Sequence, residues 1–173
     1  MSSVLVVGFL AEEQIDLVAR AFVTPWLDFT MVKERWQRYY YEQQKGSRRI
    51  CIISKQGIPI GYGTLVFKPQ YFYFKENNIP EINDVWVTPE ERSQGFGKLI
   101  ITYLEEQAKI AGYIRIGLGV GLYSCYGPAQ RLYYTLGYQP DGKGITYNFL
   151  PVTPGEAYCV DDDLILWLTK TIE

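Results

Sequence analysis

Two glycines one residue apart, Gly95 and Gly97, lie in the stretch ERSQGFGKLI, with Arg92 before them and Lys98 after. Glycine has no Cβ, so the backbone can turn sharply there and approach a ligand closely. An apolar run on helical spacing follows, with Leu99, Ile100, Tyr103, Leu104 and Ala108 on one face. The first N–H groups of a helix lack intrahelical partners, and the helix dipole favours an anion beside them. These residues therefore suit a phosphate cradle, and they suit equally a tight turn into a helix. Two standard nucleotide patterns are absent. The G-x-x-x-x-G-K-[ST] spacing is not met, and Ile100 stands where G-x-G-x-x-G needs its third glycine.

Groups that could move protons are few in kind. The chain contains no histidine, so serine–histidine and cysteine–histidine pairs cannot form within it. Cys51, Cys125 and Cys159 are far apart and make no C-x-x-C pair, so neither a structural zinc site nor a disulfide framework is expected. No metal is expected. A general base must be Asp, Glu, Lys, Tyr, Cys or water. Cys125 has no histidine to generate its thiolate and is expected to pack.

The elements that would position these groups follow from periodicity. Val4 to Phe9 predicts a strand, and Glu12 to Phe22 a helix that buries Ile15, Val18, Ala19 and Phe22, broken by Pro25. Met31 to Gln44 predicts a second helix. Ile50 to Ser54 and Ile60 to Phe67 read as a hairpin around Gly57 and Pro59. KPQYFYFKENNIP reads as an aromatic loop, and Glu81 to Val87 as a strand with Glu81, Asn83, Val85 and Val87 on one side. The helix Phe96 to Ala111 stops at Gly112. Ile114 to Leu122 predicts a strand and Pro128 to Leu136 a helix, with Pro128 near its start and Gly137 past its end. GYQPDGKG reads as a connection, and Tyr147 to Leu150 and Leu164 to Leu168 as late strands. One mixed α/β domain over residues 1–173 is expected.

The strand before the glycines and the helix after them carry a resemblance. VWVTPEERSQGFGKLI resembles the [RQ]-x-x-G-x-[GA] element of the GNAT acetyltransferases, met at Arg92, Gly95 and Gly97. GPAQRLYYTLGY resembles that family's A-x-x-L-Y-x-x-x-G-[FY] element, met at Ala129, Leu132, Tyr133, Gly137 and Tyr138. The order β-α-α-β-β-β-α-β-α-β-β is also similar to the family's. The resemblance implies a mixed α/β (α+β) fold, with a mostly antiparallel central sheet of six to seven strands and about four flanking helices. It implies an acyltransferase that moves an acetyl group from acetyl-CoA to an amine by direct transfer. A non-catalytic acyl-CoA-binding or sensing module is the alternative.

The resemblance also implies roles. Backbone N–H groups of Ser93, Gln94, Gly95, Phe96, Gly97 and Lys98 would hold the CoA pyrophosphate, with Arg92 beside them. Main-chain groups of Val85 and Val87 would meet the pantetheine arm, and one N–H there could meet a developing oxyanion. Tyr133 would protonate the departing thiolate, and the neighbouring Tyr134 is the weaker candidate. Glu81, eleven positions before Arg92, would be the general base, with Asn83 positioning a water. Asp84 is expected to face away. The Ala129 element often has an asparagine three residues earlier that contacts the CoA arm, and here that position is Tyr126.

Composition limits the partners. The 173 residues are 47% hydrophobic and 21% charged, with net charge −2, as in a soluble globular chain. The 17 basic residues form no long tract, so nucleic acid is not an expected partner. No apolar segment reaches membrane-spanning length and the first residues read as a strand, so no membrane partner and a cytoplasmic setting are expected. The aromatic run Tyr71 to Phe74 could line an acceptor cleft or cover a partner chain, which makes a homodimer an open expectation. Asp161, Asp162 and Asp163 could attract a small-molecule or peptide amine, or form only a solvated turn.

Overall fold

The computed structural model describes residues 5–23 and 28–172. The expected strand start at Val4 and helix break at Pro25 lie outside them. The strands are β1 (Leu5–Phe9), β2 (Arg48–Lys55), β3 (Ile58–Val66), β4 (Glu81–Val87), β5 (Arg115–Gly121), β6 (Gln139–Tyr147), β7 (Leu150–Pro151) and β8 (Leu164–Thr171). The helices are α1 (Ile15–Ala21), α2 (Phe29–Gln44), α3 (Phe72–Glu76), α4 (Phe96–Ile110) and α5 (Gly127–Thr135). Hydrogen bonds order the strands β1-β2-β3-β4-β5-β8-β6-β7 in one mixed sheet. The β4–β5 pair is parallel, and β1–β2, β2–β3, β5–β8, β6–β8 and β6–β7 are antiparallel. Among the described residues the sheet has eight strands and five helices accompany it, one of each beyond the upper expectation.

The chain divides into two compact units. One comprises Met1–Val66 with Asp84–Leu104, the other Phe67–Asn83 with Glu105–Glu173. In the first, α2 starts where the Asp28 carboxylate accepts the Met31 N–H at 2.9 Å, which caps an otherwise orphaned donor. Val32, Trp36 and Tyr39 then fall on one buried face. They meet Ile15, Val18 and Phe22 from the α1 segment and Ile50, Ile52 and Tyr62 from the sheet. The β2–β3 hairpin turns at Gln56 and Gly57, both with positive φ, so the two-residue turn matches the twist of its strands. Gly63 is required on β3: a Cβ there would stand 2.4 Å from Ile100 of α4.

In the second unit, the aromatic loop expected at residues 68–80 holds a helix. Its period is three, not two: Tyr71 and Phe74 are buried while Phe72 is 65% exposed. Tyr71 stacks on Trp167 with centroids 4.1 Å apart and planes 5° from parallel, and the Phe74 ring meets Trp167 edge-on at 5.4 Å. The alternation suggested an open ribbon, whereas the helix turns half of it into core. Phe74 also explains Gly117, where a Cβ would lie 2.3 Å from its ring.

GYQPDGKG is not a connection but the start of β6. Its pairing with β8 shifts register between Pro140 and Ile145, and Gly142 and Gly144 both have a φ of 80°. An irregular strand of this kind carries turn residues and stays in the sheet. The extra strand arises at Asn148 and Phe149, whose φ values of 50° and 66° close a two-residue hairpin between Tyr147 and Leu150. Among the described residues, no helix is long and apolar enough to cross a membrane.

Two outcomes follow from this packing. Gly117→Ala should cost about 1–3 kcal/mol by overpacking, seen as a fall of several degrees in Tm. Burial pushes the Cys51 thiol up to about 12, and burial first and Asp84 second push the Tyr62 phenol up to about 12. The folded state then keeps protons that the unfolded chain loses, so their stabilisation is full below about pH 8 and is lost as pH rises through about 12. The urea midpoint should fall between about pH 8 and pH 10.5, and an unchanged midpoint would contradict this.

Candidate active site

The glycine turn lies in the first unit, between β4 and α4. Asp84 interrupts the extended backbone of β4 with a φ of 52°. Glu81 and Ile82 are both buried, where β4 pairs with β5, and strict alternation begins only after them. Asp84 is exposed, as expected for a residue facing away, but its carboxylate accepts a hydrogen bond from the Tyr39 hydroxyl. Sequence alternation had no means of finding that contact, which is made across 45 residues.

After Val87 the chain makes one 3-10 turn at Pro89–Glu91. Lys55 grips Glu91 through both carboxylate oxygens, at 2.9 and 3.0 Å. Arg92 folds back along β4: its Nε donates to the Val87 carbonyl at 3.0 Å and its guanidinium lies 4.7 Å from the Trp86 ring centroid. Ser93 and Gly95 have φ values of 61° and 89°, and Ser93, Gln94, Gly95 and Lys98 are exposed. The Gly95 carbonyl accepts the Leu99 N–H at 3.0 Å, so Gly95 stands at the cap of α4. The N–H groups of Phe96, Gly97 and Lys98 therefore precede the intrahelical ladder. This exposed turn with forward-facing amides fits an anion, and the 15-residue α4 behind it supplies a favourable dipole.

The second unit holds the candidate acid and base. Glu81 opens β4 at 6% exposure, and its Oε1 accepts from Asn83 Nδ2 at 2.8 Å. The structure thus joins Glu81 and Asn83 directly, where the sequence suggested Asn83 on the Glu81 face as a group that positions a water. Tyr133 is 8% exposed on α5, and burial pushes its phenol up to about 12. Tyr134 is 79% exposed and points elsewhere.

The end of α5 gives the second motif a structural reason. Gly137 takes a φ of 88°, its N–H bonds the Tyr134 carbonyl at 3.0 Å, and the Tyr138 N–H bonds the Tyr133 carbonyl at 3.0 Å. That is a Schellman cap, in which glycine supplies the left-handed residue. Tyr138, 1% exposed, anchors the cap with its ring 6.2 Å from that of Tyr133.

At the other end of α5, Tyr126 is half-buried against Gly121, where a Cβ would meet its ring at 2.4 Å. Its hydroxyl donates to Asp162 Oδ1 at 2.9 Å, and the Tyr123 hydroxyl bonds the same oxygen. Asp161 accepts from the Tyr147 hydroxyl at 3.0 Å. The acidic turn is therefore tied down by tyrosines. Ala129 is half-buried on α5, and its neighbour Gln130 donates to the Gly121 carbonyl at 2.7 Å. Cys125 is exposed, not packed, because the 3-10 turn Ser124–Tyr126 directs its aromatic member inward instead. The turn bearing Gly95 belongs to one unit, and Glu81, Tyr126, Ala129 and Tyr133 belong to the other.

The whole chain is similar to solved acetyltransferases. An acetyltransferase from Salmonella typhimurium that modifies the N-terminal serine of ribosomal protein L7/L12 superposes with a TM-score of 0.74 at 11% identity, covering 100% of this chain and 97% of that one. The Salmonella typhimurium protein yncA, solved with its cofactor acetyl-CoA, gives 0.68 at 15% identity over 98% and 94%. A spermidine N-acetyltransferase chimera from Vibrio cholerae and hSSAT gives 0.68 at 15% identity over 96% and 95%. At such identities the likeness shows the fold. No curated protein matches the sequence. The profile of the Acetyltransferase (GNAT) family matches residues 12–138, which span both motifs, and the chain belongs to that family.

Proposed function

We propose that this chain works as one acetyltransferase domain over residues 1–173, moving the acetyl group of acetyl-CoA to a primary amine by direct transfer, in a cytoplasmic setting. The observation that carries the proposal is the α4 cap. Its exposed left-handed turn at Ser93 and Gly95 presents the amides of Phe96, Gly97 and Lys98 to an anion. Those amides, with Ser93 and Gln94, would hold the pyrophosphate. Arg92 has already given Nε to Val87, so its part there is to brace the turn. Val85 and Val87 would meet the pantetheine arm through their main chain. Tyr126 and Ala129 would flank that arm at the start of α5, with the Tyr126 hydroxyl proton already engaged by Asp162.

The cosubstrate supplies the acetyl group as a thioester. In the balanced reaction a C–N bond forms, the C–S bond breaks, the amine loses a proton, and the sulfur leaves as a thiolate that takes its proton from solvent. Glu81 is assigned the amine proton, because attack needs the nitrogen lone pair free and a carboxylate held by Asn83 is a positioned acceptor. Tyr133 is assigned the leaving sulfur. Raised to about 12, its phenol stays protonated throughout the neutral range. Release to a thiolate with an ordinary pKa near 8.5 is uphill, so its contribution is a hydrogen bond that strengthens as charge develops on sulfur.

Thiol release from acetyl-CoA should rise above hydrolysis when a panel of primary amines is added. Acetyl-CoA binding without release under every amine would assign a binding module instead. Tyr133→Phe should lower kcat by roughly 10²-fold with acetyl-CoA affinity little changed; full activity in this variant would remove the acid role. Gly97→Trp should abolish the rise in Tm caused by acetyl-CoA, since an indole would fill the mouth of the α4 cap.

A further inference from the structure

The end of the sheet where β6 begins carries a cavity that the proposed chemistry does not use. It measures about 550 Å3, and its walls include Arg115, Gln139, Thr169, Lys170 and Thr171. That volume lies within the range of small-molecule sites. These residues all belong to the second unit, whereas the α4 cap belongs to the first.

Strand register brings the polar side chains together. Arg115 of β5 stands opposite Thr171 of β8, and Gly117 stands opposite Thr169. Thr169 in turn stands opposite Gln139, the first residue of β6. Directly opposed residues share a face of a sheet, and so do residues two apart on one strand. Arg115, Thr171, Thr169 and Gln139 therefore rise from one face. Gly117 shares that face, and the Phe74 ring fills the place of its missing side chain, which bounds the polar patch toward the middle of the sheet. Beyond Thr169, β8 has no β6 partner, because the chain there is still in the α5 cap at Gly137 and Tyr138. The Ile172 N–H turns to the Ile114 carbonyl on the β5 side. Amides alternate in direction along a strand, so that of Thr171 faces the gap left by β6.

The charges in this cavity are of two kinds. Lys170 points to the other face and grips Glu105 through both carboxylate oxygens, at 2.9 and 2.8 Å, so its charge is committed. Arg115 is half-buried and makes no hydrogen bond or ion pair among the described residues. No described carboxylate lines the cavity. A guanidinium keeps its charge and offers five donors in a fixed planar fork. An anionic head group that accepts two parallel bonds suits that fork. The hydroxyls of Thr169 and Thr171 and the amide of Gln139 both donate and accept, which suits a body bearing hydroxyls. No aromatic ring lines the cavity to stack a nucleobase. A bare ion would leave most of the volume to water.

We propose that this cavity is a second ligand site, for a small hydroxyl-bearing anion of the sugar phosphate or sugar acid class, with Arg115 holding the anionic group. The site is separate from the α4 cap and does not depend on acetyl transfer.

The test is isothermal titration calorimetry at low salt with glucose 6-phosphate, gluconate, inorganic phosphate and glucose. The wild-type protein should bind glucose 6-phosphate or gluconate saturably, at least about tenfold tighter than inorganic phosphate and glucose. Whichever of the two binds tighter identifies the head group. The affinity should fall as salt rises, because the cation is only half-buried. Arg115→Gln should raise Kd by roughly tenfold or more, and Arg115→Lys by less, since charge survives and the fork does not. Thr169→Val keeps the shape and loses the hydroxyl, and should raise Kd roughly severalfold. No saturable binding of either sugar compound, inorganic phosphate bound as tightly as they are (an adventitious ion only), or an unchanged Kd in Arg115→Gln overturns the proposal.

Two further measurements guard the assignment. An anionic ligand could also seat at the α4 cap, so Gly97→Trp should leave the Kd of the sugar compound unchanged. Loss of binding in that variant places the ligand at the cap and overturns the proposal. Free of ligand, Arg115→Gln should melt within about two degrees of the wild type, because no bond is lost. A fall of several degrees would mean that the guanidinium is engaged within the fold, and would overturn the proposal.

Discussion

A helix that offers its first amides to a ligand cannot satisfy them internally, and the architecture around β4 and α4 depends on that constraint. The turn must stay open, yet it must hold one shape. Glycine at position 95 supplies the left-handed residue at low steric cost, and Ser93 adopts the same region without that advantage. Rigidity comes from the sides. Lys55 fixes Glu91, and Arg92 ties itself to Val87 and lies over Trp86. Both charges brace the loop, and in the proposed function the backbone would be the recognising surface. Behind it, Gly63 lets Ile100 pack close enough to seat the start of α4.

Tyrosine does much of the polar bookkeeping in this chain. Its rings fill the cores, and its hydroxyls find carboxylates across long stretches of sequence: Tyr39 with Asp84, Tyr71 with Asp141, Tyr126 with Asp162 and Tyr147 with Asp161. A neutral phenol beside a carboxylate satisfies both groups without burying a second charge. The acidic turn at Asp161–Asp163 is thereby held in place. Tyr133 is not engaged in this way: burial alone raises its pKa.

The legible parts of the sequence were those in which one local pattern had one local cause. The periods of α1, α2, α4 and α5, the hairpin at Gln56–Gly57 and the glycine stops at Gly112 and Gly137 all appear where the spacing placed them, within a few residues. The failures share a cause as well. Tyr71 to Phe74 looked like an extended ribbon because aromatic residues favour strands; Trp167, nearly a hundred residues later, makes a short helix the better way to bury two of them. Residues 137–144 looked like a loop because glycines dominate, whereas pairing with β8 absorbs them as an irregularity.

Sequence alone determined the family, because its two motifs are backbone devices. An anion turn needs glycine where φ is positive, and a Schellman cap needs glycine followed by an apolar anchor. Such requirements are local and survive in the order of the letters. Tertiary structure alone decided which polar side chains are already engaged. Glu81 touches Asn83, Asp84 is held by Tyr39, Tyr126 is tied to Asp162, and Arg35 has two sealed nitrogens with nothing to accept them. Satisfaction of a buried charge depends on what lies within about 3 Å. Separation along the chain carries no record of that distance.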